Sequence, residues 1–307
     1  MEPVQHPSQS LSFTSTDNKM EKLQKQLDEF QAFIDWITSI GITLNPSSRV
    51  YKYREYLQKH LQAVKDGTLE ELKQLDVYRQ YTAAFFDVQE LLTIYTGFKN
   101  VTINEEIRNR LDVYASGPTN IYDENPQNSS TRNRNIGFEL YLSSRLQLAG
   151  YPIIFSPSGD IELSIDKHNV YIECKRPFNE KKLMENVDKA IKQLIIRRSN
   201  STLAKTFVAI SISKFSNLDH DTLRIKDRDS MFMSVKGLFE EFLERNRNAW
   251  ELCSKNDITG AIVLFQVPCD IESEYKLEMS NYLAPIMISQ REEDRSSFRI
   301  YILILIE

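Results

Sequence analysis

The chain has 307 residues and a formal net charge of −5, and hydrophobic and charged residues make up 41% and 26% of it. This length is enough for two domains, the composition excludes a disordered chain, and the acidic charge excludes a protein that coats nucleic acid with its whole surface. Because no apolar run approaches the ~18 residues that span a bilayer and no secretory signal is visible, we expect a cytoplasmic protein that does not contact a membrane.

The first half of the sequence predicts a disordered tail, a helical domain and a linker. Residues 1–16 are polar and predict the tail, residues 17–115 show helical periodicity, and residues 116–131 are rich in Gly, Pro, Asn and Ser. In the first helix, apolar residues recur at spacings of three and four between Met20 and Ile37. Either a short coiled coil that forms a dimer or packing inside the helical domain explains this repeat. The predicted helices run from Asp17 to Gly41, from Arg49 to Lys65, from Thr68 to about Tyr95, and from Asn104 to about Ala115.

The second half of the sequence, residues 132–307, predicts an α/β domain. Helical and extended patterns alternate along it, which indicates a mixed β-sheet with helices on both faces. The predicted helices cover residues 132–149, 179–198 and about 231–248, and the predicted strands cover residues 151–155, 160–165, 170–176, 206–214, 258–267 and 298–306.

Several enzyme classes are excluded because their motifs are missing from the sequence. The nine glycines form neither the G-x-G-x-x-G fingerprint of dinucleotide-binding folds nor the G-x-x-x-x-G-K-[ST] loop of P-loop nucleotide hydrolases. The four histidines and three cysteines are scattered, with no spacing typical of a zinc site. If the protein is an enzyme, its chemistry must therefore be carried by carboxylates and lysines.

A group of acids and one lysine is predicted on one face of the hairpin formed by the second and third strands. Because side chains alternate along a strand, Glu173 and Lys175 share a face. With a turn over residues 166–169, Glu162 lies opposite Glu173. Asp160 then lies opposite Lys175. A shift of the pairing by two residues keeps all four side chains on the same face, whereas a shift by one does not.

Two interpretations of this group follow from its charges. Crowded carboxylates repel one another unless a cation binds them, and carboxylate oxygens favour Mg²⁺ or Mn²⁺. In that case the metal would activate water for attack on a phosphate, and Lys175 would hydrogen-bond that water or a phosphate oxygen. In the other interpretation the same residues form salt bridges across a surface hairpin, one of them between Asp160 and Lys175.

The helices on either side of the hairpin add polar residues. Glu139 lies in the apolar segment Gly-Phe-Glu-Leu of the helix before the strands, from which its carboxylate could complete a metal site. Gln193 lies in the following helix, within residues 167–214, where eleven Lys and Arg residues outnumber four Asp and Glu residues. This basic span is either a solvated helix face or the surface along which a phosphate backbone lies. The basic residues expected to bind nucleic acid are Arg176, Lys181, Lys182, Lys189 and Lys192.

Residues 137–194 resemble the core of the PD-(D/E)xK phosphodiesterase superfamily, which has a restriction-endonuclease-like fold. The resemblance implies that Glu139, Asp160 and Glu173 bind the metal. It also implies that Lys175 orients the water and that Gln193 assists. One departure is Ser158-Gly159, which stand where a proline often precedes the aspartate, so Glu162 is kept as an alternative to Asp160. The matching segments are Gly-Phe-Glu139-Leu on the first helix, Asp160-Ile-Glu-Leu on the second strand, Glu173-Cys-Lys175-Arg-Pro on the third strand and Ala-x-x-Gln193-Leu on the next helix.

The resemblance also implies a function, which is Mg²⁺- or Mn²⁺-dependent hydrolysis of phosphodiester bonds in nucleic acid, with DNA favoured over RNA. A role in restriction or anti-phage defence fits a nuclease of this type. We expect the helical domain to supply target binding, formation of a homodimer or docking to a protein partner. The alternative is a catalytically inactive nuclease-fold module that binds nucleic acid or acts as a scaffold for a partner.

Overall fold

A computed structural model describes residues 15–75, 78–118, 130–156, 159–165, 168–199, 204–215, 223–271 and 276–289. Most of the predicted tail over 1–16, most of the predicted linker over 116–131 and the whole predicted strand over 298–306 lie outside these residues.

The first five α-helices in the described part of the chain are α1 (Ser15–Ser39), α2 (Arg49–Asp66), α3 (Leu69–Lys73), α4 (Tyr78–Phe98) and α5 (Glu105–Ala115). The prediction for α5 is confirmed, since Oδ1 of Asn104 accepts a hydrogen bond from the backbone N–H of Ile107 and caps the helix. The single helix predicted from Thr68 to Tyr95 is wrong, because α3 ends before α4 begins. The Thr68 side chain makes no capping hydrogen bond, and α3 buries none of its side chains, so packing does not extend it.

The remaining α-helices and strands of the described residues form the sheet and its cover. They are, in chain order, α6 (Ser130–Leu148), β1 (Ile153–Ser156), β2 (Gly159–Ile165), β3 (His168–Lys175), α7 (Leu183–Arg198), β4 (Lys205–Ser211), β5 (Leu223–Ile225), α8 (Arg228–Arg245), α9 (Arg247–Lys255), β6 (Gly260–Ile271) and β7 (Lys276–Met287). The sequence did not predict β7, which contains Pro285. Proline is compatible with this strand because β7 pairs with β6 on one side and lies at an edge of the described sheet.

The sheet is mixed, as predicted. β1, β2 and β3 form an antiparallel meander, after which α7 crosses over so that β4 lies parallel to β3. β6 is parallel to both β4 and β5 and antiparallel to β7. The strand order is β1-β2-β3-β4-β6-β5, with β7 also paired to β6. The described residues therefore form an open α/β sheet with helices, preceded by a largely helical region.

Two apolar layers cover the faces of the sheet. One layer joins α1, α2, α4, α5 and α6 to side chains of β2 and β3 such as Ile172. Phe30 and Ile34 of α1 are buried in this layer, so this part of the apolar repeat of α1 packs inside the chain. The other layer lies between α7, α8 and α9 and the opposite face, which includes Val208. The helical region and the sheet thus share one core, and the domain division at residues 116–131 stays a prediction.

None of the described helices combines the length and the apolar character needed to cross a bilayer.

Candidate functional site

The hairpin of β2 and β3 has a different register from the predicted one. Ile165 pairs with His168, so only two residues separate the strands, and Glu162 pairs with Tyr171 rather than with Glu173. The predicted four-residue turn was wrong because its last two residues, His168 and Asn169, belong to β3 and pair with β2. The difference in register is two residues, an even number, so the acids of β2 stay on the predicted face.

Glu173 and Lys175 lie at the end of β3 and face α7. Glu173 is completely buried, with 0% of its surface exposed, and its Oε1 accepts a hydrogen bond of 2.7 Å from Nζ of Lys175. A buried carboxylate is costly unless a neighbouring charge compensates it. The lysine supplies that charge, and the two residues of the E-x-K segment therefore act as a pair.

Asp160 lies at the start of β2, beside the lysine. The paired residues of β2 begin at Ile161, one residue after Asp160. Oδ2 of Asp160 accepts a hydrogen bond of 2.7 Å from the backbone N–H of Cys174. The same oxygen lies 3.8 Å from Nζ of Lys175. Although Asp160 does not lie opposite Lys175 in the ladder, it still contacts it. Glu162 makes no ion pair within the described residues, so the geometry favours Asp160 as the member of the group.

Glu139 reaches the same group from α6. Burial is the largest influence on its carboxyl, followed by the negative charge of Asp160, and together with Glu173 they raise the pKa of Glu139 to about 8. Arg110 and Lys175 act in the opposite direction. Burial and the charge of Asp160 likewise raise the pKa of Glu173. The three acids predicted from the helix and the two strands are thus close enough to influence one another.

Arg110 also belongs to this group, although the sequence did not point to it. It lies on α5, and its Nη1 donates a hydrogen bond to Oε2 of Glu139. Its Nε donates to Oε1 of Glu106 over 3.0 Å, and its guanidinium lies 4.6 Å from the ring centroid of Phe155 on β1. Its position beside the buried side chains of α5 was a sequence signal that it lies near the core. No local pattern, however, predicts its contact with Glu139, which lies 29 residues further along the chain.

Arg197 is a second basic residue of the group to which the sequence did not point. Its Nη2 lies 3.6 Å from Oε2 of Glu173, and its guanidinium lies 5.8 Å from the ring centroid of Tyr171. Its signal was visible, because position 197 continues the buried face of α7 after Leu194. Gln193, which the resemblance implied as an auxiliary residue, is exposed on α7 and makes no contact with the acids within the described residues.

Three of the five basic residues expected to bind nucleic acid pair with acids of α7. Lys182 and Lys189 both donate hydrogen bonds to Glu185, and these bonds lower the pKa of Glu185 to about 2. Lys192 donates to Asp188 over 2.6 Å. Lys181 is exposed and Arg176 is half-buried. The surface of α7 is therefore a mixed-charge face rather than an uninterrupted positive one.

The carboxylates have the chemistry of a Mg²⁺ site, although among the described residues no three His, Cys, Asp or Glu side chains are arranged to hold a metal ion. Each acid uses one oxygen for a protein donor, namely Oε2 of Glu139, Oδ2 of Asp160 and Oε1 of Glu173. Their second oxygens accept no hydrogen bond within the described part of the chain, and Oε2 of Glu173 is fully buried. A buried carboxylate oxygen favours a nearby cation, and Nη2 of Arg197 lies 3.6 Å from Oε2 of Glu173. The donor chemistry of the three residues therefore suits a divalent metal, although their side chains are not arranged around a common point in the described structure.

Comparison of the chain with protein families, curated proteins and solved structures gave no significant match.

Proposed function

We propose that the chain is a metal-dependent nuclease of the PD-(D/E)xK type, with a restriction-endonuclease-like fold, that hydrolyses phosphodiester bonds in nucleic acid, with DNA favoured over RNA. The observation that carries the proposal is the contact of Lys175 with both Glu173 and Asp160, beside a buried Glu173 oxygen that accepts no hydrogen bond from the described residues. Nη2 of Arg197 lies 3.6 Å from this oxygen, beyond hydrogen-bond distance, and a divalent metal ion would compensate the charge of the oxygen at shorter range.

The order of the elements also supports the proposal. Glu139 lies on the helix before the strands, Asp160 on the second strand, and Glu173 and Lys175 on the third. The resemblance to the PD-(D/E)xK superfamily implies the same order of site residues along the chain. Gln193 departs from the order that the resemblance implies, because the α7 side chain that contacts Glu173 is that of Arg197.

The residues of the site divide the chemical work between them. When bound, Mg²⁺ supplies a Lewis acid that acidifies water and neutralises the charge that grows on the phosphate. Glu139, Asp160 and Glu173 would bind it through their oxygens. Lys175 uses one N–H for Glu173, which leaves other N–H groups to hold the attacking water or a phosphate oxygen. Water would then attack phosphorus, and the bond to the leaving oxygen would break.

The substrate class rests on charge. Lys181, Lys182, Lys189 and Lys192 lie on or just before α7, the helix that covers the site, and Arg176 directly follows the E-x-K segment. Exposed lysines that pair with acids on the same helix exchange those partners readily, because exposed pairs contribute little stability. A phosphate backbone can therefore replace Glu185 and Asp188 as their partner. Restriction or anti-phage defence is the biological role we propose for such an activity.

An inactive nuclease-fold module that binds nucleic acid, or that acts as a scaffold, is the second candidate. The observation that favours it is the presence of three basic side chains, Arg110, Lys175 and Arg197, which already contact the acids. Such pairing could hold the group together without a metal.

A cleavage assay separates the two candidates. Wild-type protein, Lys175→Ala and Lys236→Ala are incubated with plasmid, linear duplex, single-stranded DNA and RNA in Mg²⁺, in Mn²⁺ and in chelator. Lys236 on α8, a half-buried residue whose side chain pairs with Glu240, serves as the control. We expect metal-dependent cleavage by wild type and by Lys236→Ala, reduced about 100-fold or more in Lys175→Ala. Equal cleavage by wild type and Lys175→Ala would reject the proposal, and binding without any cleavage would favour the inactive module.

A further inference from the structure

Arg110 of α5 connects the helical region to the carboxylates of the proposed site through its contact with Glu139. Its guanidinium is held by residues of three elements, since it donates to Glu139 on α6 and to Glu106 on α5 and lies over Phe155 on β1. Its side chain is 14% exposed. An arginine fixed from three sides has little freedom to leave, and it therefore behaves as a built part of the site rather than as a surface counterion.

The packing of α5 on α6 fixes where this guanidinium lies. Tyr114, one turn after Arg110, packs against Gly137, which lies two residues before Glu139. A Cβ at position 137 would lie 2.8 Å from Cδ2 of Tyr114 and closer still to Cε2, so the two helices approach as nearly as a glycine allows. The Tyr114 hydroxyl donates a hydrogen bond to Glu90 of α4, and this bond anchors the C-terminal end of α5.

We propose that Arg110 is a positioning residue of the metal site and acts through Glu139. By holding Oε2 of Glu139, it leaves Oε1 as the oxygen available to a divalent cation. This inference rests on the proposed metal-dependent function and adds that the site is incomplete without the helical region. Residues that hydrogen-bond a metal ligand orient it, and their loss typically costs 10–100-fold in metal affinity.

The direction of the change distinguishes positioning from simple charge pairing. If Arg110 only neutralised Glu139, its positive charge would compete with the metal, and removing it would tighten binding. If it orients Glu139, removing it weakens binding. The two roles therefore predict opposite signs for the same substitution.

The experiment measures Mn²⁺ binding to the full chain, with Mn²⁺ alone as the probe. Free Mn²⁺ is followed by electron paramagnetic resonance in wild type, Arg110→Gln and Arg108→Gln. Arg108 is an exposed residue of the same helix and provides the matched control. We expect Arg110→Gln to bind Mn²⁺ about 10–100-fold more weakly and to change the spectrum of the bound ion, whereas Arg108→Gln matches wild type.

Two further variants separate failure of this inference from failure of the proposed function. Glu173→Gln should lose Mn²⁺ binding whatever Arg110 does. If wild type binds Mn²⁺, Glu173→Gln does not, and Arg110→Gln binds as tightly as wild type or more tightly, the role of Arg110 is refuted and the metal site stands. If wild type binds no Mn²⁺ at millimolar concentration, both proposals fall.

Arg110→Lys keeps the inference testable if Arg110→Gln does not fold. A lysine keeps the charge but has a single nitrogen, which cannot hold Glu106 and Glu139 in the fork geometry of a guanidinium. We expect weaker Mn²⁺ binding in this variant too. Wild-type affinity in Arg110→Lys would overturn the positioning role.

Discussion

The ring of Tyr114 on α5 packs against the backbone of Gly137 on α6 so closely that no side chain fits between them. Two residues after Gly137 on α6, Glu139 meets Arg110, which lies one turn before Tyr114 on α5. The glycine of the Gly-Phe-Glu-Leu segment thus has a structural purpose, because it lets α5 come near enough for its arginine to reach the acids.

Replacing Gly137 with alanine tests this close contact. We expect Gly137→Ala to lower the free energy of unfolding by about 1–3 kcal/mol, because the new Cβ overlaps the Tyr114 ring and the helices must separate. Gly237→Ala is the matched control on α8, where a Cβ meets nothing within 4 Å, and it should stabilise by about 1 kcal/mol. Urea unfolding followed by circular dichroism measures both. A Gly137→Ala protein as stable as wild type would contradict the packing.

A buried ion pair also joins α6 to the earlier helices. Nη1 and Nη2 of Arg134 donate to the two carboxylate oxygens of Asp87 over 2.7 and 2.6 Å, and the Tyr53 hydroxyl donates to the same carboxylate. Arg134→Met leaves Asp87 buried without its cation, and we expect a loss of about 3–5 kcal/mol in the free energy of unfolding. Arg132→Met, an exposed change on the same helix, should cost less than about 0.5 kcal/mol. Similar stabilities for the two variants would show that the pair is unimportant.

Glu90 gives the helical region a predictable pH dependence. Burial raises its pKa above the usual 4.5, and the charge of Asp87 adds to this effect, against the influence of Arg134 and the Tyr114 hydrogen bond. The folded protein therefore keeps this proton at pH values where the unfolded chain has lost it. The contribution of Glu90 to the free energy of unfolding thus falls as the pH rises from about 4.5 through the raised pKa.

The variant Glu90→Gln removes this titration and keeps an oxygen that can accept from Tyr114. Its stability relative to wild type should improve steadily as the pH rises above about 4.5, when unfolding is measured in denaturant at a series of pH values. A difference that does not change with pH would mean that Glu90 has an ordinary pKa in the folded protein.

The strand and helix patterns predicted much of the site because its members are close in sequence. Alternation placed Glu173 and Lys175 on one face of β3, and Asp160 stays on the predicted face because the observed register differs by an even number of residues. The register was wrong by two residues because the sequence does not distinguish a four-residue turn from a two-residue turn when His168 and Asn169 fit either a turn or a strand.

The basic partners were harder to foresee because they come from distant elements. Arg197 continues the buried stripe of α7, so the helical period carried a signal that a charged residue faces the sheet. Arg110 reaches Glu139 only because α5 packs on α6, and this packing is a tertiary contact that no local period encodes. Gln193 is the opposite case, since the resemblance implies a role for a side chain that is exposed on α7, and that role stays a prediction.

The charge of α7 predicts how DNA binding depends on salt. If Lys189 and Lys192 contact phosphates, the logarithm of the DNA-binding constant should fall linearly with the logarithm of salt concentration. The double variant Lys189→Gln/Lys192→Gln should reduce that slope by up to about 2, at about 0.9 per phosphate contact. Lys236→Gln on α8 is the control and should leave the slope unchanged. Equal slopes for wild type and the double variant would remove these lysines from the nucleic-acid surface.

The most direct measurement is the single-turnover rate of phosphodiester hydrolysis on a short labelled DNA duplex as Mg²⁺ is increased, in wild type and in Asp160→Asn. We predict a wild-type rate that rises with Mg²⁺ to saturation and falls to background in chelator, with a loss of about 100-fold or more in Asp160→Asn. Hydrolysis that does not depend on Mg²⁺, or that proceeds equally fast in both proteins, would contradict catalysis by the acids around Lys175.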